Sequence, residues 1–260
     1  MIPMTLTQKI WQGIGSLTIL SVLIGGCGQG SRVEPRHAVP GYNASLIFEE
    51  TFDGALSRWT AEGLGQTEIT DDGRLRFTGT PGAADSANTE LDLVLWLRQE
   101  FGDSFLLEYE VEFPNTPGKG SVLFCAQDAT GHDLLDRARL HQNQLPNWGE
   151  TLQGYEISMH CYTPNGQHNP GSKIKKYPGP YLLAKSPSDP CEENRGYLVD
   201  VVKTGSRIQL FVDNQKVHDL RDRGGFGQSY KEGYIGFLFQ GASHAAMLVD
   251  NVRLFKLNPR

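Results

Sequence analysis

FLLEYEVEF, residues 105–113, alternates between apolar and charged side chains, and this alternation decides the class of fold. A period of two is typical of a β-strand that buries one face and exposes the other. The face expected in the core carries Phe105, Leu107, Tyr109, Val111 and Phe113. The other face carries Glu108, Glu110 and Glu112, which we expect to be solvated.

Similar alternation recurs toward the C-terminus, at residues 207–213, 233–240 and 246–257, with turn residues between the segments. HDLLDRARL, residues 132–140, has the composition of a helix and is brief. Many strands joined by glycine-rich turns predict an all-β sandwich of two antiparallel sheets with one short helix. Trp59 is expected to fill one end of its core.

The first 26 residues have the features of an export signal. One lysine, Lys9, precedes an apolar run at residues 14–24 that is too short to span a membrane. The run ends in LIGGC, which resembles a bacterial lipoprotein box and predicts lipidation of Cys27; the alternative is ordinary secretion with cleavage near the same point. Residues 27–43 are expected to form a flexible tether, and residues 44–260 a single domain. This arrangement predicts an exported protein that is lipid-anchored at the bacterial cell envelope, in the periplasm or at the outer membrane.

The charge of the chain limits which partners it can bind. The net charge is -6, and removal of the leader with Lys9 makes it -7. No block of basic residues is present, which argues against nucleic acid as a partner, and membrane contact is expected only through the lipid anchor.

Cys161 and Cys191 both border loops and are the favoured disulfide pair, whereas Cys125 lies in an apolar stretch and is expected to pack as a small hydrophobe.

The C-terminal stretch, YLVDVVKTGSRIQLFVDNQKVHDL followed by GYIGFLFQGASHAAMLVDNVRLFKL, resembles the end of concanavalin A-like lectin/glucanase jelly rolls, and FEETFDGALSRW fits their opening. Within that superfamily, the middle of the chain is similar to a family of bacterial proteins typified by YesU, through LVLWLRQEFGDSFLLEYEVEF, VLFCAQDATGHDLLD, LQGYEISMHCYTPN and KIKKYPGPYLLAKSPSDP. The resemblance covers most of residues 46–257. It implies a jelly roll that works on complex carbohydrate, without implying a reaction.

QGYEISMHCYTPNG, residues 153–166, is the segment most suggestive of a site, because its polar side chains fall at every second position. In a jelly roll one sheet forms a groove for extended sugars, which needs aromatic faces and polar groups. Glu156, His160 and Tyr162 are therefore the candidate catalytic residues. The candidate substrate-binding residues are Trp96, Arg98, Gln127, His132, Asp133, Trp148, Ser158, Lys173 and Lys175.

Several candidates also have a purely structural explanation. His160 fits an ordinary surface histidine equally well, and Tyr162 fits a residue that covers the edge of the core. His132 and Asp133 precede the predicted helix and fit a helix cap. Trp148 is flanked by Pro and Gly in a loop, which leaves a sugar platform and a packing role equally open.

Three functions remain open on the sequence. The first is a lyase acting on an acidic polysaccharide, with His160 as base, Tyr162 as proton shuttle and Arg98, Gln127 or a lysine neutralising the sugar carboxylate. The familiar motifs of alginate-lyase jelly rolls are missing from the sequence.

The second function is a glycoside hydrolase, which needs two carboxylates such as Asp133 and Glu156. The Glu-x-Asp-x-x-Glu string of the superfamily's glucanases is also missing. The third function is carbohydrate binding without catalysis, which fold alone does not distinguish from the other two.

A structural calcium ion is a further hypothesis. Sandwiches of this kind often hold calcium between the first and last strands through carboxylate and carbonyl oxygens. Glu50, Asp53 and Asp250 are the candidate ligands. The alternative is that these residues serve ordinary turns and strand pairing.

Overall fold

The computed structural model describes residues 33–79, 91–115, 118–142, 148–162, 167–241 and 244–260. The predicted signal peptide and the lipidation site at Cys27 lie outside these ranges. No helix within the ranges has the length and apolarity needed to span a bilayer.

The described chain is mostly β-strand, as predicted. The strands are β1 (Tyr42–Glu50), β2 (Trp59–Gly63), β3 (Gln66–Ile69), β4 (Leu75–Thr78), β5 (Leu91–Leu97), β6 (Ser104–Glu112), β7 (Gly118–Asp128), β8 (Leu152–Cys161), β9 (Lys173–Tyr177), β10 (Tyr181–Lys185), β11 (Gly196–Thr204), β12 (Arg207–Val212), β13 (Gln215–Arg221), β14 (Tyr234–Gly241) and β15 (Ala246–Pro259). The helices are α1 (Leu134–Leu140), at the predicted place, and the single turn α2 (Trp148–Thr151).

The strands form two antiparallel sheets that pack face to face. The eight-stranded sheet has the order β13-β12-β11-β6-β15-β4-β3, with β1 also paired to β15. The seven-stranded sheet has the order β10-β9-β8-β7-β14-β5-β2. Runs of consecutive strands, β11 to β13 in one sheet and β7 to β10 in the other, pair as meanders, whereas pairs such as β6 with β15 and β7 with β14 join strands that are distant in sequence.

The core between the sheets contains the apolar set read from residues 105–113. All five side chains of that set are buried there, in contact with side chains of the seven-stranded sheet such as Val122, Tyr155 and Phe237. Trp59 is buried beside Phe48, Phe52 and Phe237, and it fills the position predicted for it. Residues of the two inner faces thus alternate with outward residues along each strand.

Each sheet also has an outer face, turned away from this core. On the seven-stranded sheet, α1 and α2 cover an apolar area that includes Val94, Trp96 and Leu238. Asp133 is the N-cap of α1, and its Oδ1 accepts from the amides of Leu135 (2.7 Å) and Asp136 (3.1 Å). The cap satisfies amides that have no partner within the helix.

The outer face of the eight-stranded sheet is covered by residues 33–41, which lie within the predicted tether. Val39 packs on its apolar cluster, and His37 lies against the ring of Phe211 at 4.0 Å between ring centres. The guanidinium of Arg36 donates to the carbonyl of Tyr109 (3.2 Å). The compact unit therefore begins at Val33, ahead of the predicted domain start at residue 44.

The prediction of a solvated glutamate stripe is wrong for Glu108. Its carboxylate is fully buried and accepts from Arg253 Nη2 and from the amide of Arg36, both at 2.5 Å. Asp200 is buried beside it, 3.6 Å from Arg36. Residues 33–41 cover β6. The face that the alternation predicts to be exposed is therefore buried at Glu108, where its charged side chains form ion pairs. Glu110 and Glu112 remain partly exposed.

A β-bulge in β8 changes which side chains share a face. Ser158 pairs with Ser121 and His160 pairs with Gly120, so Met159 is an extra residue without a partner of its own. A Cβ atom at Gly120 would lie 2.2 Å from the Phe113 ring. Because glycine has no Cβ, the ring has space to stack on His160, at 4.4 Å between ring centres. The predicted single row Glu156, Ser158, His160 and Tyr162 is therefore broken after Ser158.

The predicted disulfide between Cys161 and Cys191 is wrong, because both thiols are free. The bulge places the Cys161 thiol on the outer face, 3.3 Å from Ser158 Oγ. Cys191 belongs to the core between the sheets, as does Cys125, which packs as a small hydrophobe as predicted.

Replacing Asp200 by Asn is expected to change how stability depends on pH. Burial raises the pKa of Asp200 to about 6, although Arg36 acts in the opposite direction. The folded protein therefore holds this proton more tightly than the unfolded chain, in which an aspartate has a pKa of about 4. The stability that the protonated Asp200 carboxyl contributes is fully present below the pKa of the unfolded chain and is lost as the pH rises through the pKa of the folded protein. The free energy of unfolding of D200N should consequently rise by about 3 kcal/mol relative to wild type across the interval.

Urea unfolding at the two ends of that pH interval measures this difference. Glu68→Gln serves as the control for the loss of one exposed negative charge, because the Glu68 side chain is 60% exposed. The raised pKa assigned to Asp200 would be wrong if the difference in free energy of unfolding between D200N and wild type stayed constant with pH. It would also be wrong if that difference changed only as much as it does for the Glu68→Gln control.

Candidate functional site

Strand pairing arranges side chains in rows across the outer face of the seven-stranded sheet. One row crosses from β5 to β10 and contains Trp96, Gly236, Leu123, Glu156, Lys175 and Leu182. The next row contains Val94, Leu238, Ser121, Ser158, Lys173 and Lys185. A third row contains Asp92, Gln240, Lys119 and Cys161. The face is thus apolar beneath α1 and polar over β7 to β10.

Glu156 is the centre of the polar part. Its carboxylate is only 1% exposed and accepts from Ser121 Oγ (2.9 Å), Lys119 Nζ (2.7 Å) and the hydroxyl of Tyr177 (2.7 Å). Lys175 Nζ lies 3.8 Å from the same carboxylate. We call these five residues the Glu156 cluster.

Charges within the cluster fix the ionisation of Glu156 and Tyr177. Burial alone would raise the pKa of Glu156, but Lys119 and Lys175 lower it to about 2. Burial and the neighbouring Glu156 charge raise the pKa of the Tyr177 hydroxyl. Glu156 is therefore a permanent carboxylate, and Tyr177 remains a neutral donor to it.

The lysines of the cluster respond to one another as well as to Glu156. Glu156 raises the pKa of Lys175, but burial together with the charges of Lys119 and Lys173 outweighs that effect and leaves the pKa lowered. The mutual repulsion of these ammonium groups indicates a positive potential over β7 to β9.

His160 and Tyr162, two of the three candidate catalytic residues, do not join Glu156. The His160 ring stacks between Phe113 and Tyr162, and its Nδ1 donates to the carbonyl of Cys191 (3.1 Å). Burial lowers the pKa of His160, so the ring is held neutral. Tyr162 stacks on His168 at 4.5 Å. The row expected to combine carboxylate, imidazole and phenol is separated by the bulge at Met159.

The candidate binding residues divide into three groups. Ser158, Lys173 and Lys175 lie on the polar part of the outer face, as expected. Trp96 is buried beneath the helices, and its Nε1 donates to Glu62 (2.7 Å). Trp148 is the first residue of α2 and is buried in the same apolar cluster, so neither indole has a free face for a sugar ring. The indole nitrogen of Trp148 has no hydrogen-bond partner within the described ranges.

The third group lies at the ends of strands and in the loop before α1. Arg98 follows β5 and its Nε donates to Thr60 Oγ1 (2.8 Å). Gln127 accepts from Gln153 (3.1 Å) near the end of β7. His132 is exposed and contacts Thr130 Oγ1 (2.9 Å), while Asp133 caps α1. Asp133 Oδ2 also accepts from the hydroxyl of Tyr234 (3.4 Å).

The residues of the polar face that the sequence analysis does not single out include Lys119, Ser121, Tyr177 and Gln240. The alternation of Lys119, Ser121 and Leu123 in GKGSVLFC is visible in the sequence, but pairing of β7 with both β8 and β14 is what places it beside Glu156. Tyr177 ends a basic run, and Gln240 ends FLFQ. Both Gln240 and the run are recognisable as polar interruptions of apolar strands.

The calcium hypothesis gains no support from the geometry. Within the described ranges, no three acidic, histidine or cysteine side chains are grouped so as to hold a metal ion. Glu50 accepts from Arg58 Nη2 (3.1 Å) and Trp59 Nε1 (3.2 Å), and Asp250 accepts from the amide of Asn251 (2.7 Å). Asp53 accepts from Thr51 Oγ1 (2.7 Å). These contacts match the alternative of turn and pairing roles.

Solved structures similar to this chain share the sandwich. A protein of unknown function with a galectin-like fold from Bacillus subtilis has 18% identity and a TM-score of 0.70, over 84% of this chain and 100% of that one. The exoplasmic/lumenal domain of VIP36, in its Ca²⁺/Man3GlcNAc-bound form, has 13% identity and a TM-score of 0.55, over 83% and 91%. The potassium-bound carbohydrate recognition domain of Emp46p has 13% identity and a TM-score of 0.52, over 78% and 93%. At these identities the likeness shows the fold alone, and it confirms the predicted sandwich.

Sequence comparison identifies the family. A search of curated proteins found no significant match. The family model described as "Domain of unknown function (DUF1961)" matches residues 45–247, which is most of the chain and nearly all of the sandwich. The chain therefore belongs to the DUF1961 family.

Proposed function

We propose that this protein is an exported carbohydrate-binding sandwich domain that holds a glycan across the outer face of its seven-stranded sheet, over β7 to β10. The observation that carries the proposal is the Glu156 cluster, a set of polar groups fixed by mutual hydrogen bonds at the centre of the polar part of that face. Such a set is expensive to bury and needs a polar partner or solvent in front of it.

The surroundings of the cluster suit a saccharide. Lys119 and Lys175 remain 19% and 28% exposed, and Gln240 is half-buried. Leu182, next to Lys175 on the same face, is 53% exposed and offers apolar surface. A sugar presents both hydroxyl groups and C–H faces, so it is recognised by a few fixed polar groups beside apolar area.

Relatives in fold support the class of ligand. The VIP36 domain was solved with Man3GlcNAc, and the Emp46p domain is a carbohydrate recognition domain. A shared sandwich is compatible with many functions, so the argument for this chain depends on its own polar face.

The geometry favours binding over catalysis. General acid–base chemistry needs a group whose pKa lies near the working pH. Glu156, with a pKa of about 2, stays ionised and cannot protonate a leaving oxygen. Tyr177 already donates its hydroxyl, and its raised pKa opposes loss of the proton. The three rows contain no histidine, because His160 turns away from them.

Gln240→Ala is expected to weaken glycan binding about three- to tenfold, since it removes a hydrogen-bonding amide from the polar face. Gln209→Ala is the matched control. Both glutamines are half-buried and donate to an aspartate, Gln240 to Asp92 (2.7 Å) and Gln209 to Asp219 (3.2 Å), but Gln209 lies on the other sheet. Calorimetric titration with a panel of neutral and acidic oligosaccharides measures the effect. Equal affinities for the two variants, or no binding of any glycan by wild type, would refute the proposed site.

Incubation of the domain with the same polysaccharides tests the absence of catalysis. We expect neither the ultraviolet absorbance of an unsaturated chain end nor new reducing ends after prolonged incubation, because no group in the rows is poised for proton transfer. Accumulation of either product in an enzyme-dependent manner would replace binding by a lyase or a hydrolase.

Export and anchoring are part of the proposal and rest on the LIGGC sequence. Acyl chains on Cys27 would hold the domain at a membrane surface of the cell envelope. Cys27→Ser is expected to move the protein from the membrane fraction to the soluble fraction of the producing cells. A variant that remains with the membranes would argue for attachment by other means.

A further inference from the structure

The lysines of the outer face outnumber its carboxylates over β7 to β10. Register places Lys175 beside Glu156, Lys173 beside Ser158, and Lys185 beside Lys173. Lys119 joins them from β7. Glu156 is the carboxylate among them, and Asp92, farther along Lys119's row, is bonded by Gln240.

Glu156 does not use up the hydrogen-bonding capacity of these lysines. The carboxylate already accepts from Lys119, Ser121 and Tyr177. Lys175 Nζ, at 3.8 Å, is beyond hydrogen-bond distance from it. An ammonium group carries three donors, so Lys175 retains donors for a ligand.

Lys173 and Lys185 add further positive charge. Lys173 Nζ donates to the carbonyl of Asn169 (3.2 Å), which is a neutral acceptor. Within the described ranges no carboxylate lies within ion-pair distance of Lys173, and Lys185 is exposed. The open part of the face therefore has a surplus of cations around one buried carboxylate.

The position of Glu156 makes the arrangement rigid. The carboxylate is buried at the level of the sheet, whereas the tips of Lys119 and Lys175 remain partly exposed. Glu156 thus holds two ammonium groups in place from below. Preorganised cations lose little conformational freedom when an anion binds in front of them.

Resting on the proposed function, we propose that the glycan is anionic and that a carboxylate or sulfate of the sugar binds in front of Lys175, between Lys119 and Lys173. The sugar ring then extends toward the exposed Leu182 on the neighbouring edge strand. Neutral glycans lack the group that the surplus cations would bind.

Affinities for paired glycans test this inference. Galacturonan oligomers and their methyl esters share a ring but differ in charge, as do dextran sulfate and dextran. We expect wild type to bind the charged member of at least one pair about tenfold more tightly than the neutral member at low salt, with the advantage shrinking as salt screens it. Tighter binding of the galacturonan oligomers than of their methyl esters would identify a carboxylate as the group that is bound. Tighter binding of dextran sulfate than of dextran would identify a sulfate.

Lys175→Gln is expected to remove most of that advantage, so that the charged and neutral members of a pair bind with similar affinities. Lys256→Gln is the matched control, since it makes the same change at an exposed position on the other sheet. Lys175 is the better target than Lys119 because Glu156 keeps its three hydrogen bonds in the variant. Thermal melting checks that both variants fold as wild type does.

The outcomes separate the two proposals. Neutral glycans bound as tightly as charged ones, or equal behaviour of K175Q and K256Q, would overturn the anionic site and leave carbohydrate binding in place. Failure of every glycan in both panels to bind would overturn carbohydrate binding itself.

Discussion

The hydrogen-bonded pairing of β7 with β8 places the side chains of the candidate site. Alternation along paired strands puts Ser121 and Leu123 of one strand beside Ser158 and Glu156 of the other. The extra residue at Met159 ends that register, so His160 turns toward Phe113 and Cys161 takes the outer face. One inserted residue therefore separates an aromatic stack from a charged cluster on the same strand.

Each sheet contains a buried carboxylate, and the two carboxylates are stabilised in the same way. Glu156 on one sheet and Glu108 on the other are almost fully buried, and each is approached by two basic side chains. Removing a charged group from water is costly unless hydrogen bonds and opposite charge replace the solvent. The difference lies in what covers them: residues 33–41 cover Glu108, whereas the lysines above Glu156 remain in contact with solvent.

The sequence predicts the class of fold well because it is carried by local alternation. Residues 105–113 show their core face directly, and the helix before Leu140 is visible from its composition. Alternation does not reveal an insertion in a strand, so His160 and Tyr162 were assigned to the wrong face. It also does not reveal what covers a strand, which is why Glu108 was expected in solvent.

The candidate site is less predictable because its members come from several strands whose register is not visible in the sequence. Lys119, Glu156 and Tyr177 meet only when β7, β8 and β9 pair. Lys173 and Lys175 are predicted because they stand in a short basic run of the sequence, residues 173–176. Trp96 is predicted in the groove, and Trp148 is left open between a sugar platform and a packing role, because an aromatic side chain near a polar loop serves equally well to pack a helix onto a sheet.

The three described cysteines show how this sandwich protects its thiols. Cys125, Cys161 and Cys191 are unpaired and at most 3% exposed, and burial raises the pKa of Cys125 to about 12. A thiol reacts with oxidants and alkylating reagents as the thiolate and only when reached by solvent. Chemical protection here comes from packing rather than from a cross-link, so the rate at which a thiol reagent modifies Cys125 and Cys191, which lie in the core between the sheets, reports how often the two sheets separate.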